Sequence, residues 1–356
     1  MGTTELNEKL LGLRREEYRG AQTIAVYSDT PAEFRALVGG TGAYDLGWRA
    51  KLLVTGRDRI RWLNGMITNN VRDLPVGQGA YSFLLTPQGR VLGDLNVYNR
   101  GDFLVIDTDQ SQAENLVSIL RRYIIMDQVE IANAGKWAAI GLAGPKSPEV
   151  LGRIGISHSE MKPLALMDGS WHDSGLIIVR GDLPKVLSYE IWMDPAILSR
   201  LWQELVNAGA LPAGSKAVEL FRIACGVPRY GVDIRERDLP QETEQFRALH
   251  YTKGCYIGQE IVERIRSRGA VHRKFTGLRI TGPIPPPGSK AQAEGKEIAE
   301  ITSSASLPTV TGEIAVALGY VRREASATGK EIAFGEARVT VADLPFAEVF
   351  ATAKEQ

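Results

Sequence analysis

Apolar positions recur at spacings of three and four over 60–74, where Ile60, Leu63, Ile67, Val71 and Leu74 fall on one helical face. Short apolar runs flank this helix. Residues 51–54 read as a strand, and 80–85 and 91–98 as two more, joined through the turn-forming Pro87-Gln88-Gly89. A strand over 103–107 follows Arg100-Gly101. A second helix over 110–124 sets Leu116, Ile119, Leu120 and Tyr123 on one side, and 128–131 closes the unit. Two strand–helix–strand halves joined this way predict a ferredoxin-like or related sandwich over 51–133.

The mixture recurs over 137–245. Strands are expected at 137–142, 176–179 and 189–193. Helices are expected at 195–208, with Pro195 in the first turn, and at 217–224, stopped by Gly226 and Pro228. From Phe275 onward helical periodicity fades. Strands over 275–280, 297–303, 315–321 and 337–341, punctuated by Gly and Pro, predict a small β-barrel or sandwich. The run Gly282-Pro283-Ile284-Pro285-Pro286-Pro287-Gly288 reads as a loop inside that domain, because a strand already precedes it.

The length of 356 residues exceeds one ordinary core and predicts two or three domains. Lys+Arg and Asp+Glu are equal at 42 each, so no global charge draws the chain to nucleic acid or an anionic membrane. Cys225 and Cys255 are too few and too far apart for a disulfide framework or a zinc site. The first twenty residues hold Glu5, Glu8, Glu16 and Glu17 and no long apolar run, unlike a secretory signal or an acid-poor transit peptide. No 18-residue apolar window occurs, so no membrane association is expected, and a reducing cytoplasm is the expected compartment.

The most specific stretch is Lys253-Gly254-Cys255-Tyr256-Ile257-Gly258-Gln259-Glu260. Two glycines flank the cysteine and permit a tight turn. Helical character from Ile257 onward puts Cys255 near a helix N-terminus, and Lys253 adds a nearby positive charge. Both features favour a thiolate. The competing expectation is a buried cysteine in a glycine turn.

This run resembles the signature of the YgfZ-type folate-binding proteins, relatives of the glycine-cleavage T protein. Phe221-Arg222-Ile223-Ala224-Cys225-Gly226-Val227-Pro228-Arg229-Tyr230-Gly231 and Leu239-Pro240-Gln241-Glu242 are similar to further segments of that superfamily. The resemblance spans about residues 41–346. It implies an α+β, three-subdomain folate-binding T-protein-like fold with a C-terminal β-barrel. The division then expected is 1–50 plus 134–245 as a first α+β subdomain and 51–133 as the ferredoxin-like one. A motif segment over 246–272 and a barrel over 273–356 complete it.

The implied cofactor is tetrahydrofolate or another reduced folate. Its pterin edge suits a carboxylate, its benzoyl ring suits aromatic walls, and its glutamate tail suits an arginine fork. By resemblance, Glu190 matches the pterin-binding glutamate and Arg222 an arginine near the tail. Tyr81 and Tyr98 match site tyrosines, and Asp94 matches the catalytic carboxylate of the transferase. Asp94, Asn96 and Tyr98 share strand parity and are expected on one face. Read alone, Glu190 is a solvated strand residue, Arg222 a surface or salt-bridge arginine, and Tyr81 and Tyr98 half-buried sheet residues.

Three departures stand against transferase activity. The transferases' paired acid is here Gly93-Asp94. Gly181-Asp182-Leu183-Pro184-Lys185 replaces a glycine-rich segment before the pterin glutamate. The transferase also normally lacks a cysteine at the position of Cys255.

Arg264, Arg266, Arg268, Arg273 and Lys274 lie in an acid-free run. The first three would share a face if extended, which would suit a polyglutamate tail or RNA. The histidines His158, His172, His250 and His272 show no metal-ligand spacing. The candidate catalytic residues are Cys255, Lys253 and Asp94; the candidate cofactor-binding residues are Tyr81, Asp94, Tyr98, Glu190 and Arg222; no metal is expected. The leading expectation is a folate-binding accessory protein with iron–sulfur client enzymes as partners. The alternatives are a folate-dependent aminomethyltransferase and a folate-dependent RNA modification factor.

Overall fold

The computed structural model describes residues 2–3, 6, 12–135, 137–157 and 160–351. Glu5, Glu8 and His158 lie outside the described residues.

Alternating apolar and polar side chains give the first sheet two unlike faces. Its order is Gly79–Leu85, Val91–Asn99, Leu104–Asp109, Arg49–Thr55, Glu130–Asn133, antiparallel throughout. Helices Arg59–Met66 and Gln110–Arg121 cover one face, where Trp62, Leu63, Leu116 and Leu120 pack on Leu52, Leu95 and Ile106. These are the five strands and two helices that the sequence predicts, packed as a sandwich. The first helix ends at Met66, short of the predicted 74. The Asn64 side chain accepts hydrogen bonds from the Val71 and Arg72 backbone N–H groups, which turns the chain back on itself.

The second sheet runs Leu166–Trp171, Ser174–Arg180, Ser188–Met193, Ala138–Ala143, Gly42–Asp45, Leu211–Pro212. Helix Leu198–Asn207 buries Leu198, Leu201, Trp202 and Leu205 against one of its faces. Strand parity sends Tyr189 and Ile191 to that side, and Glu190 and Trp192 to the other.

The third sheet orders Lys290–Ala293, Lys296–Thr309, Gly312–Arg322, Arg273–Thr281, Ala337–Ala342, Glu331–Phe334, a nearly closed six-stranded barrel. The proline-rich run 282–288 is a connection between two of its strands, as expected. One shared core joins all three sheets: Tyr98 and Val105 from the first, Trp192 and Leu166 from the second, Phe275 and Tyr320 from the barrel, with Phe221 of helix Ser215–Ala224 among them. The fold is α+β, as the sequence predicts. Its inner sheet faces meet around a cleft.

Segment 246–268 packs on the outer strands of the first sheet. Ala248, Leu249, Tyr256 and Val262 share a cluster with Tyr81, Phe83 and Leu85. Gly258, at φ +81°, precedes helix Gln259–Arg268, and a Cβ there would lie 2.6 Å from the Thr86 carbonyl oxygen. That contact explains why glycine is required in the motif.

Candidate functional site

The cleft between the two inner sheet faces spans about 1060 Å³, including its open mouth. Register builds its first wall. Tyr81, Asn96, Asp107 and Lys51 stand opposite one another across four strands. Asp94 and Asn96 reach the cleft, as parity predicts. Tyr98 does not: it is 1% exposed, its ring edge-on to Trp192 at 5.4 Å, because the second sheet covers that end of the strand.

Asp94 is held at both oxygens. Tyr81 Oη donates to Oδ2 at 2.8 Å and Gln112 Nε2 donates to Oδ1 at 2.6 Å. Burial, with Asp109 nearby, raises the Asp94 pKa, against the pull of these two donors and Arg49. A Cβ on Gly93 would meet Gln112 Oε1 at 3.0 Å and Leu116 at 3.4 Å. Position 93 therefore faces the helix Gln110–Arg121 and not the cleft, so the lost acid there removes nothing from the cleft wall. That departure no longer counts against transferase chemistry.

Glu190 forms the second wall. Trp192 Nε1, on the same strand face, donates to Glu190 Oε2 at 2.8 Å, and Lys51 Nζ lies 4.0 Å from that oxygen. Burial first, then Asp107, raises the Glu190 pKa; Lys51, Arg49 and Trp192 oppose the shift. Behind it, cross-strand partners form a charged lattice. Arg49 bonds Asp107 at 2.6 Å and Asp109 at 2.5 Å, and Lys51 bonds Asp107 at 3.0 Å. Burial alone would raise the Asp107 pKa, but Arg49 and Lys51 hold it down to about 2. The alternations Arg49-Ala50-Lys51 and Asp107-Thr108-Asp109 carried this lattice in the sequence, and only a pairing of those two strands reveals it. Tyr44 and Trp48, ring planes 7° apart at 6.3 Å, add aromatic surface to the cleft.

Arg222 lines the cleft but is only 4% exposed. Its Nη1 donates to Asp233 at 2.6 Å and to the Val227 carbonyl at 3.2 Å; its Nη2 donates to Glu219 at 2.5 Å and to Ser303 Oγ at 2.7 Å. Of the two roles its helix context suggests, surface or salt-bridge arginine, it takes the second, as a buried clasp between helix Ser215–Ala224 and the barrel. Arg229 and Arg247 also line the cleft, and sequence reading singled out neither. Arg247 pairs with Asp182 and stacks over Tyr81 at 4.4 Å.

The structure brings Tyr81, Asp94, Glu190 and Arg222 to one cleft. Lys253 and Cys255 are not among its lining residues. Lys253 is not turned to the thiol, as expected, but buried at the C-terminal end of helix Arg59–Met66. Its Nζ donates to the Asn64, Ile67 and Asn69 carbonyls, the last two at 2.7 Å. Asn64 lies in the last turn of that helix and Ile67 and Asn69 just beyond it, where carbonyls lack intrahelical partners, which is why an ammonium goes there. Burial, with Arg72 nearby, lowers the Lys253 pKa to about 7. Cys255 is exposed, and burial raises the pKa of Cys225.

The basic run is not an extended face. Arg264, Arg266 and Arg268 lie on helix Gln259–Arg268. Arg273 is engaged by Asp238 at 2.6 Å, Glu242 at 3.3 Å and Glu300 at 3.7 Å. No group of three or more metal-ligating side chains occurs among the described residues, and no helix among them is long and apolar enough to cross a membrane.

A family model described as the GCVT N-terminal domain matches residues 14–253. An aminomethyltransferase of Halothermothrix orenii is 27% identical over 331 residues, covering 91% of this chain and 92% of that protein. A chloroplastic protein of Arabidopsis thaliana, named as a transferase, is 26% identical over 300 residues, covering 83% of this chain and 69% of its own. The crystal structure of glycine cleavage system aminomethyltransferase T from Bartonella henselae shares the fold, with a TM-score of 0.86 at 20% identity over 98% of each chain.

Proposed function

The chain belongs to the GCVT N-terminal domain family, and on that premise we propose that it binds tetrahydrofolate, or another reduced folate, in the central cleft and serves iron–sulfur enzymes of the cytoplasm as a YgfZ-type accessory protein. The observation that carries the reading is the pair of anchored carboxylates lining one cleft, Glu190 on Trp192 and Asp94 on Tyr81 and Gln112. Glu190 suits the donor edge of a pterin, and one of its oxygens is free of the Trp192 bond. Tyr44 and Trp48 suit an aryl ring. When bound, the folate supplies a carrier for one-carbon units.

The accessory role rests on the motif. Lys253 and Tyr256 are buried while Gly254 and Cys255 between them are exposed. Anchors on both sides present the thiol outward on a fixed turn. The test is a calorimetric titration with tetrahydrofolate, followed by assay of several cluster-dependent enzymes in cells lacking the protein. Absence of folate binding, or unchanged enzyme activities, counts against the respective half of the reading.

A second reading, aminomethyl transfer, draws support from the intact clamp on Asp94 and from position 93 facing the helix Gln110–Arg121 and not the cleft. It predicts ammonia release from an aminomethyl-lipoyl donor at roughly 1–10³ per second, abolished in Asp94→Asn. The RNA reading keeps less support, since Arg273 already faces three acids.

A further inference from the structure

Five arginines line the cleft, and they differ in what their donors already hold. Arg49 bonds Asp107 and Asp109, and Arg19 bonds Asp109 at 3.2 Å. Arg222 fills both terminal nitrogens with four acceptors. Arg247 is paired with Asp182. Arg229 is the exception. Its Nη1 stands 3.5 Å from Glu219 Oε2, well outside the 2.7–2.9 Å of a charge-assisted N–H···O bond. That oxygen already accepts the Tyr18 hydroxyl at 3.0 Å, and the other oxygen of Glu219 serves Arg222. Among the described residues, the Arg229 guanidinium donates no hydrogen bond.

The backbone beneath it is tightly fixed. The Arg229 N–H donates to buried Asp233 at 3.0 Å, and its carbonyl accepts the N–H groups of Val232, Asp233 and Ile234 at 3.2, 2.8 and 3.1 Å. A planar five-donor fork on a rigid turn, one quarter exposed and short of acceptors, is prepared for a carboxylate. We propose that Arg229 binds the carboxylate tail of the cleft's ligand, a γ-linked glutamate chain, in place of the already engaged Arg222. The assignment rests on the folate reading above.

The experiment compares tetrahydropterin, which has no tail, with tetrahydrofolate and its triglutamate, by calorimetry at low and high salt. Wild type is expected to bind the tailed ligands more tightly, with the advantage shrinking in salt. Arg229→Gln is expected to lose roughly 10- to 100-fold affinity for them and none for tetrahydropterin. Arg229→Lys, which keeps the charge and loses the fork, should fall between and guards against a folding defect. If Arg229→Gln and Arg229→Lys both retain the wild-type preference for tailed ligands, the tail is read elsewhere and the Arg229 assignment is wrong while the cleft stands. If wild type binds none of the three, the folate reading falls and takes this one with it.

Discussion

Gln112 grips Asp94 at two points: its Nε2 donates to Oδ1 at 2.6 Å, and its Oε1 accepts the Asp94 backbone N–H at 3.1 Å. The amide is 4% exposed, so neither bond has water as a substitute. Gly93 is the neighbour that leaves room for it. Gln112→Leu is expected to cost about 1–3 kcal/mol, the usual penalty for stranding buried polar partners. It should also raise the Asp94 pKa further, since a donor to the ionised form is gone. Denaturant unfolding measures the first effect and the pH profile of ligand binding the second. A purely structural role for Gln112 would move stability and leave the pH profile where it was.

Glu190 sets a second pH dependence. Burial and Asp107 raise its pKa, so its carboxylate is protonated at a higher pH than an ordinary glutamate. If the ionised form receives the pterin edge, affinity for tetrahydrofolate falls as pH drops, starting above the usual carboxylate range. Glu190→Gln should weaken binding roughly 10- to 150-fold, the equivalent of ~1.5–3 kcal/mol, and flatten that dependence. Calorimetry across the acidic range checks both. An unflattened profile in the glutamine variant would assign the titration to Asp94.

Much of this cleft was legible from strand parity. Asp94 and Asn96 alternate on one face, and Tyr81 stands across from Asn96. What parity could not show was which end of the strand a second sheet would cover, and Tyr98 fell under Trp192. The early end of helix Arg59–Met66 was equally hidden. It depends on Asn64 folding back locally and on Lys253, 189 residues further on, taking the freed carbonyls. The sequence left Arg222 as a surface or salt-bridge arginine, and its burial was hidden because its acceptors Asp233 and Ser303 lie 11 and 81 residues away. Local pattern yields the elements; the partners of a buried charge come from tertiary structure.

The Arg222 clasp makes a stability prediction. Asp233 is fully buried, and Arg222→Ala leaves it without its cation, a change worth about 3–5 kcal/mol. The loss should show as a lower denaturation midpoint in every ligand state. A variant of wild-type stability with lost folate affinity would instead make Arg222 a ligand contact.

Glu219, on the same clasp, governs acid sensitivity. Burial opposes its ionisation, but Arg222 and Arg229 hold its pKa down to about 2 from 4.5. A depressed acid stabilises the fold above its unfolded pKa and loses that contribution as pH falls through the folded one. Stability should therefore drop between roughly pH 4.5 and 2, by an amount on the order of 2–3 kcal/mol. Glu219→Gln should be less stable at neutral pH and show a shallower acid slope. An unchanged slope would move the effect to Asp107 and Asp109.

The motif separates into an anchor and a presented group, and two substitutions should tell them apart. Lys253 holds three carbonyls at the end of helix Arg59–Met66 and is 4% exposed. Lys253→Met keeps the apolar stem and removes the donor, stranding those carbonyls at a cost of about 1–3 kcal/mol. Cys255 is exposed, and serine is close to it in size. Cys255→Ser should therefore change stability by less than about 0.5 kcal/mol and leave tetrahydrofolate affinity unchanged. If the thiol is what the turn exists to present, the same variant should still fail to restore cluster-dependent enzyme activities in cells lacking the protein. Lys253→Met should impair them only as far as the fold is lost, and recover at lower growth temperature. Full complementation by Cys255→Ser would locate the function of the motif in its anchors and glycines, with the sulfur dispensable.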